Sequence, residues 1–260
     1  MDLGIRGKQA IVCAASKGLG RACAESLARE GCDLTLIART LEPLEQAAAE
    51  LRAQHGVRVT IVAGDVNTAA GRDALLAACP AADILVTSPG TRQVPGDFRT
   101  WEEAEWRRWW DEHFYSAIDL IRRTAPGMCD RKFGRIANIS VSFIKFPQVG
   151  FAHSHSARAG LAAAIASIGR ELIGHNVTIN SVCPGLFDTD ALRTNLHGHA
   201  KRGGVTYEAI VEDRLKGCPA GRFADPIECG DLVAYLCSAQ AGFMTSQNIV
   251  NDGGVYQGLF

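Results

Sequence analysis

The chain has no excess of charge of either sign: 27 lysines and arginines stand against 28 aspartates and glutamates in 260 residues, and the two signs are interleaved. No basic field exists to hold a phosphate backbone by counterion release, which excludes nucleic acid as the main ligand. Long apolar runs are missing too. The longest, LAAAIASIG from Leu161, is far shorter than the roughly 20 residues a bilayer-spanning helix needs. Met1 to Ala10 carries no apolar signal region, so the chain reads as soluble and cytoplasmic, with no membrane partner. The nine cysteines are scattered, without a Cys-x-x-Cys pair or a cysteine–histidine spacing that suits zinc. They read as small buried apolar residues in a reducing compartment, and no metal site is expected. Internal repeats, low-complexity tracts and interdomain linkers are absent as well, so residues 1–260 are expected to form one domain.

What the chain does contain is a 47% hydrophobic composition, enough for a substantial core, arranged in alternating segments. Short apolar runs start at Gln9 (QAIVCA), Asp33 (DLTLIA), Val57 (VRVTIVA), Asp83 (DILVT), Gly134 (GRIANIS), Val177 (VTINSV) and Asn248 (NIVND). Between them lie helix-like stretches, among them Leu19 to Glu30, Leu41 to His55, Trp101 to Thr124 and Ser156 to Ile173. Strand and helix in alternation predict an α/β fold: a single doubly wound sheet of seven mostly parallel strands with helices on both faces. One long irregular segment, Phe187 to Arg222, is expected to be a substrate lid.

The first strand runs into AASKGLGRACA, which places Gly18 and Gly20 at a strand-to-helix turn, where helix N-terminal amides face a pyrophosphate in a Rossmann sheet. The turn supplies Ala14, Ser16, Lys17, Gly18, Leu19 and Gly20 as candidate contacts. At the end of the second strand, where an acidic residue would take the ribose hydroxyls, stands Arg39. Its guanidinium suits a 2'-phosphate, and Lys17 adds a second cation, so NADP(H) is expected over NAD(H).

These residues resemble the short-chain dehydrogenase/reductase family over nearly the whole chain, in the manner of its 3-oxoacyl-(acyl-carrier-protein) reductases. AASKGLG looks like the family's glycine motif, and Asp65, followed by Val66, looks like its adenine-contacting aspartate. TSPG, from Thr87 to Gly90, stands where the family has Asn-Asn-Ala-Gly. PGLFDT, with Pro184, Gly185 and Thr189, matches its nicotinamide-contacting segment, and GRFADPIECGDLVAYLCS followed by NDGG matches its tail. The departures begin at Ala14, in place of the first glycine, and at Thr87 and Ser88, in place of asparagines that brace the sheet.

The resemblance implies hydride transfer between a nicotinamide and a carbonyl or alcohol, using an asparagine, a serine, a tyrosine and a lysine. With ARAGL as anchor those places are held by His113, Val141, Ser154 and Arg158, so all four are replaced. A serine hydroxyl is a much weaker acid than a phenol and sits on a shorter side chain. Arg158 can hydrogen-bond ribose hydroxyls or clamp a carboxylate but does not relay protons. His113 and His155 are the candidate proton donors, since an imidazole titrates near neutrality and His155 lies three residues before Arg158. Metal binding by His153 and His155 is not expected, because neighbours two apart on a helix diverge. The resemblance also implies a homodimer or homotetramer built on the helix after Arg158 and the helix before it. In the expected lid, TNLHGHAKRGG carries His197, His199, Lys201 and Arg202, which suit an anionic small molecule such as an acyl thioester or carboxylate.

Three functions follow as alternatives. The first is an NADP(H)-dependent oxidoreductase of a carbonyl or alcohol with a non-standard site. The second is a non-redox lyase or hydrolase on the same scaffold. The third is a catalytically silent subunit that assembles with an active relative.

Overall fold

The computed structural model describes residues 2–88 and 95–259. All seven expected strands form: β1 (Gln9–Cys13), β2 (Asp33–Ala38), β3 (Val59–Ala63), β4 (Ile84–Thr87), β5 (Gly134–Ile139), β6 (Val177–Pro184) and β7 (Asn248–Asn251). They make one sheet in the order β3-β2-β1-β4-β5-β6-β7, and every pairing is parallel. Strand order reverses between β1 and β4, which opens a crevice at their C-terminal ends.

Alternate residues on each strand feed two separate cores. Ala10 and Val12 of β1, Leu34 and Leu36 of β2 and Ile84 and Val86 of β4 pack with α1 (Gly18–Arg29), α2 (Leu41–His55) and α9 (Pro226–Leu236). Ile11, Cys13, Ile37 and Leu85 face the other way, onto α3 (Ala69–Ala78), α5 (Ser116–Asp130) and α6 (Ala152–Leu172). A parallel sheet covered on both faces follows, because no strand face reads as polar.

Three elements differ from expectation. The stretch read as one helix from Trp101 is α4 (Glu103–Trp110), a π-helical turn at Asp111–Tyr115, and then α5, which runs on to Asp130. Helix α6 begins at Ala152 rather than Ser156, which places Ser154 and His155 in its first turn. The segment 187–222 is mostly helical: α7 (Asp190–Gly203) and α8 (Tyr207–Lys216). Each has a threonine N-cap, Thr189 accepting from the Leu192 N–H and Thr206 from the Ala209 N–H, and Gly204 ends α7 in the left-handed region at φ 63°.

Candidate active site and nucleotide cleft

The β1–α1 turn is built for close approach. Gly18 sits at φ 59°, and a Cβ on Gly20 would lie 2.4 Å from the Ala14 carbonyl oxygen and 2.7 Å from that of Cys13. Helix α1 therefore starts directly on the turn, and Lys17, its N-cap, makes no side-chain cap bond, so the first amides of α1 are open to an anion. Ala14 stands at φ 52°, a left-handed conformation that glycine adopts more easily. Ser16 and Leu19 are half-buried around the turn.

Lys17 and Arg39 project from the ends of adjacent strands, are exposed, and have no ion-pair partner among the described residues. Past β3, the Asp65 carboxylate accepts from the Asn67 N–H at 3.0 Å, and Val66 is buried beside it. Thr189 reaches the turn from the other side, since a Cβ on Gly18 would meet its Cγ2 at 3.7 Å. Pro184 ends β6, and the Gly185 N–H donates to the Asn251 carbonyl at 2.9 Å. Gly90 lies outside the described residues. An open helix start, two unpaired cations and a glycine cradle fit a dinucleotide with a 2'-phosphate.

Across the sheet ends runs a buried polar ladder that the sequence reading passed over. The Thr87 hydroxyl donates to the Asn138 Oδ1 at 3.0 Å, and the Asn138 Nδ2 donates to the Ser181 hydroxyl at 3.2 Å, which ties β4, β5 and β6 together. An asparagine inside the apolar run GRIANIS was the available signal.

Beyond the ladder, α6 packs on the π-helical turn that carries Glu112 and His113, and Arg158 of α6 lines a cavity with both. Arg158 is 8% exposed, and its one hydrogen bond runs from Nη1 to the Ile139 carbonyl at 3.4 Å. Burial pulls its pKa down to about 10, which still leaves it charged at neutral pH. His113, Glu112 and Arg158 line one small cavity together with Cys13, Thr87 and Asn138, with room for about one water.

The two histidines differ from the expectation that they titrate near neutrality. His113 stacks on Trp109 with ring centroids 5.0 Å apart, and burial, followed by the Arg158 and His153 charges, pushes its pKa to about 2. His155 accepts the Gln148 N–H on Nδ1 at 3.3 Å, and the same causes bring it to about 4. Both rings are neutral at pH 7, so neither holds an imidazolium proton to give. His153 goes elsewhere, stacked on Trp101 at 3.9 Å and against Trp109 at 4.3 Å.

Val141 is extended and half-buried after β5, between the buried Ser140 and Ser142. The strand ends at Ile139 and a 3-10 turn follows at Ser142–Ile144, so these three residues do not follow strand alternation.

Buried polar atoms without a hydrogen-bond partner include Glu112 Oε2 and both ring nitrogens of His113 on the π-helical turn and Ser154 Oγ, His155 Nε2 and Arg158 Nε on α6, with others at Asn67, Trp109 and Asn248. Native folds pair more than nine in ten such groups, so each of these atoms calls for a partner that the chain itself does not supply.

A family model described as enoyl-(acyl carrier protein) reductase matches residues 13–256. The chain belongs to the short-chain dehydrogenase/reductase family. Among curated members, the 3-oxoacyl-(acyl-carrier-protein) reductase of Vibrio cholerae is 30% identical over 261 residues, covering 98% of this chain and 99% of the relative. Among solved members, the L-sorbose reductase of Gluconobacter frateurii, in complex with NADPH and L-sorbose, superposes with a TM-score of 0.94 at 31% identity over 100% of both chains. An NADPH-dependent reductase involved in bacilysin biosynthesis superposes at 0.91 with 27% identity, covering 97% of this chain and 100% of that one. This short-chain dehydrogenase/reductase thus shares its relatives' full length. No helix among the described residues is long and apolar enough to cross a membrane.

Proposed function

We propose that this short-chain dehydrogenase/reductase binds NADP(H) and carries out oxidoreduction of a carbonyl or alcohol on a small molecule, with Arg158 as the group that binds the substrate oxygen. The observation that carries this reading is the buried Arg158, which lines a small cavity with Glu112 and His113 and has no ion-pair partner among the described residues. Relatives solved with NADPH support the choice of cofactor. Lys17 and Arg39 would hold the 2'-phosphate, the α1 amides the pyrophosphate, Asp65 and Val66 the adenine end, and Pro184, Gly185 and Thr189 the nicotinamide end. The bound cofactor supplies the hydride.

The protein's part is electrostatic. The Arg158 guanidinium is already desolvated, so it needs no reorganisation to stabilise negative charge on a carbonyl oxygen, and one such donor contributes about a hundredfold to a thousandfold in rate. The Ser154 hydroxyl, buried without a partner one helical turn before Arg158, would donate a second hydrogen bond. With His113 and His155 neutral, the final proton comes from solvent rather than from a side-chain acid.

The test is NADPH consumption with a panel of ketones and 2-oxo acids, for the wild type and for Arg158→Met. Turnover in the wild type and a loss of at least about a hundredfold in the variant are expected. Undiminished turnover in Arg158→Met would remove Arg158 from the chemistry.

The absence of an imidazolium favours a second reading, a catalytically silent subunit. Coexpression with an intact relative decides it: stable copurification, with no turnover by this chain alone, is its signature. In either case assembly through α5 and α6 is proposed, with ultracentrifugation reporting a dimer or tetramer.

A further inference from the structure

A run of aromatic rings adjoins His155 of the site. Phe151 and His155 rings lie 5.6 Å apart, His155 and Phe143 5.8 Å, Phe143 and Phe146 5.2 Å, and Phe146 and Tyr256 5.6 Å. The chain of rings runs from the first turn of α6, through the β5–α6 connection, to the C-terminal tail. His155 is buried, while the four others are half-buried and keep part of each ring accessible. Tyr256 is held there by Asp252, whose carboxylate accepts the backbone N–H groups of Gly254, Val255 and Tyr256 at 2.9–3.2 Å.

Among these rings stands Lys145, half-buried and without an ion-pair partner among the described residues. No aspartate or glutamate occurs between Asp130 and Glu171, the stretch that contributes β5, the connection and α6. Asp252 is already committed to the tail. The charges of Lys145 and Arg158 both bear on the Cys183 thiol near the end of β6, so both cations lie within electrostatic reach of it. Glu112 shares the small cavity with Arg158, whereas Lys145 has no ion-pair partner among the described residues, which leaves its charge for a ligand to neutralise.

We propose that the substrate is a planar ring compound bearing a carboxylate next to its reacting carbonyl, with the ring stacked on Phe143 and Phe146 and the carboxylate paired with Lys145. This rests on the oxidoreductase reading above and names the substrate class of the same site. Aromatic faces hold a ring by offset or edge contact, and a desolvated ammonium discriminates for the anion.

Calorimetric titration with benzoylformate, acetophenone and pyruvate tests it, with and without saturating NADPH. Benzoylformate is expected to bind about tenfold or more tightly than acetophenone, which lacks the charge, and pyruvate, which lacks the ring. Lys145→Gln should abolish the preference over acetophenone and Lys145→Arg should keep it, while Phe146→Ala should erode the preference over pyruvate. Equal affinities for the three probes, or a benzoylformate preference untouched in a folded Lys145→Gln variant, would overturn the proposal. The NADPH isotherm from the same samples reports separately on the cofactor reading.

Discussion

Arg158 is the residue whose removal should separate function from stability. Its guanidinium is 8% exposed, has no carboxylate partner, and holds one long hydrogen bond. Burial lowers its pKa from 12.5 to about 10, the sign of a cost for keeping it charged. That difference corresponds to about 3 kcal/mol against the charged form. Because the folded-state value is depressed, the cost is fully present at neutral pH and is relieved only as pH rises from about 10 toward 12.5. Methionine has similar length and no charge, so Arg158→Met should stabilise the fold by about 1–3 kcal/mol after the lost Ile139 contact is subtracted. For a domain of this size the melting temperature should rise by several degrees. Thermal and urea unfolding of both proteins at pH 7 measure this, with NADPH turnover alongside. A variant that melts lower than the wild type would show that Arg158 is a structural group, and the assignment of its charge to a ligand would fail.

A second buried arginine should behave oppositely. Arg135 donates to the Ser238 carbonyl at 2.9 Å, to the Gly134 and Asn176 carbonyls at 2.8 Å and to the Asn176 Oδ1 at 3.2 Å, so Arg135→Met should cost about 3 kcal/mol in the same urea experiment. Gly20→Ala places a Cβ 2.4 Å from a backbone oxygen that cannot move freely. A loss of about 1–3 kcal/mol, together with loss of NADPH binding, is expected in melting and titration experiments. The pH dependence follows from His113 and His155, held at about 2 and about 4 against an ordinary 6.5. Protons bind the unfolded chain first, so stability should fall as pH drops below 6.5, by up to about 1.4 kcal/mol per unit for each histidine. The His155 share ends near pH 4. Urea midpoints at pH 7, 6 and 5 should show a shallower slope in His113→Asn, and an unchanged slope would contradict the neutral, buried ring.

The strands were legible because each is a short apolar run bounded by turn residues, and their residues pair in the order a doubly wound sheet requires. The nucleotide turn was legible for a local reason: Gly20 answers a clash between atoms six residues apart. Helices α7 and α8 were missed because they are mostly polar and bury little, although Thr189, Thr206 and Gly204 spelled out their ends. The π-helical turn at Asp111–Tyr115 has no proline or glycine to announce it. Titration was the least legible property. His113 and His155 look like ordinary imidazoles in sequence, and only the packing of Trp109, Phe143, Phe151 and Arg158 around them removes their protons. The partners of Asn138 are likewise set by contacts with other strands.

The most direct test of the central claim is a fluorescence titration of the purified protein with NADPH, with NADH in parallel. The account predicts roughly micromolar binding of NADPH, clear preference over NADH, and loss of that preference in Arg39→Ala. Failure to bind either nucleotide would contradict the oxidoreductase reading, and equal binding of the two would contradict the role given to Lys17 and Arg39.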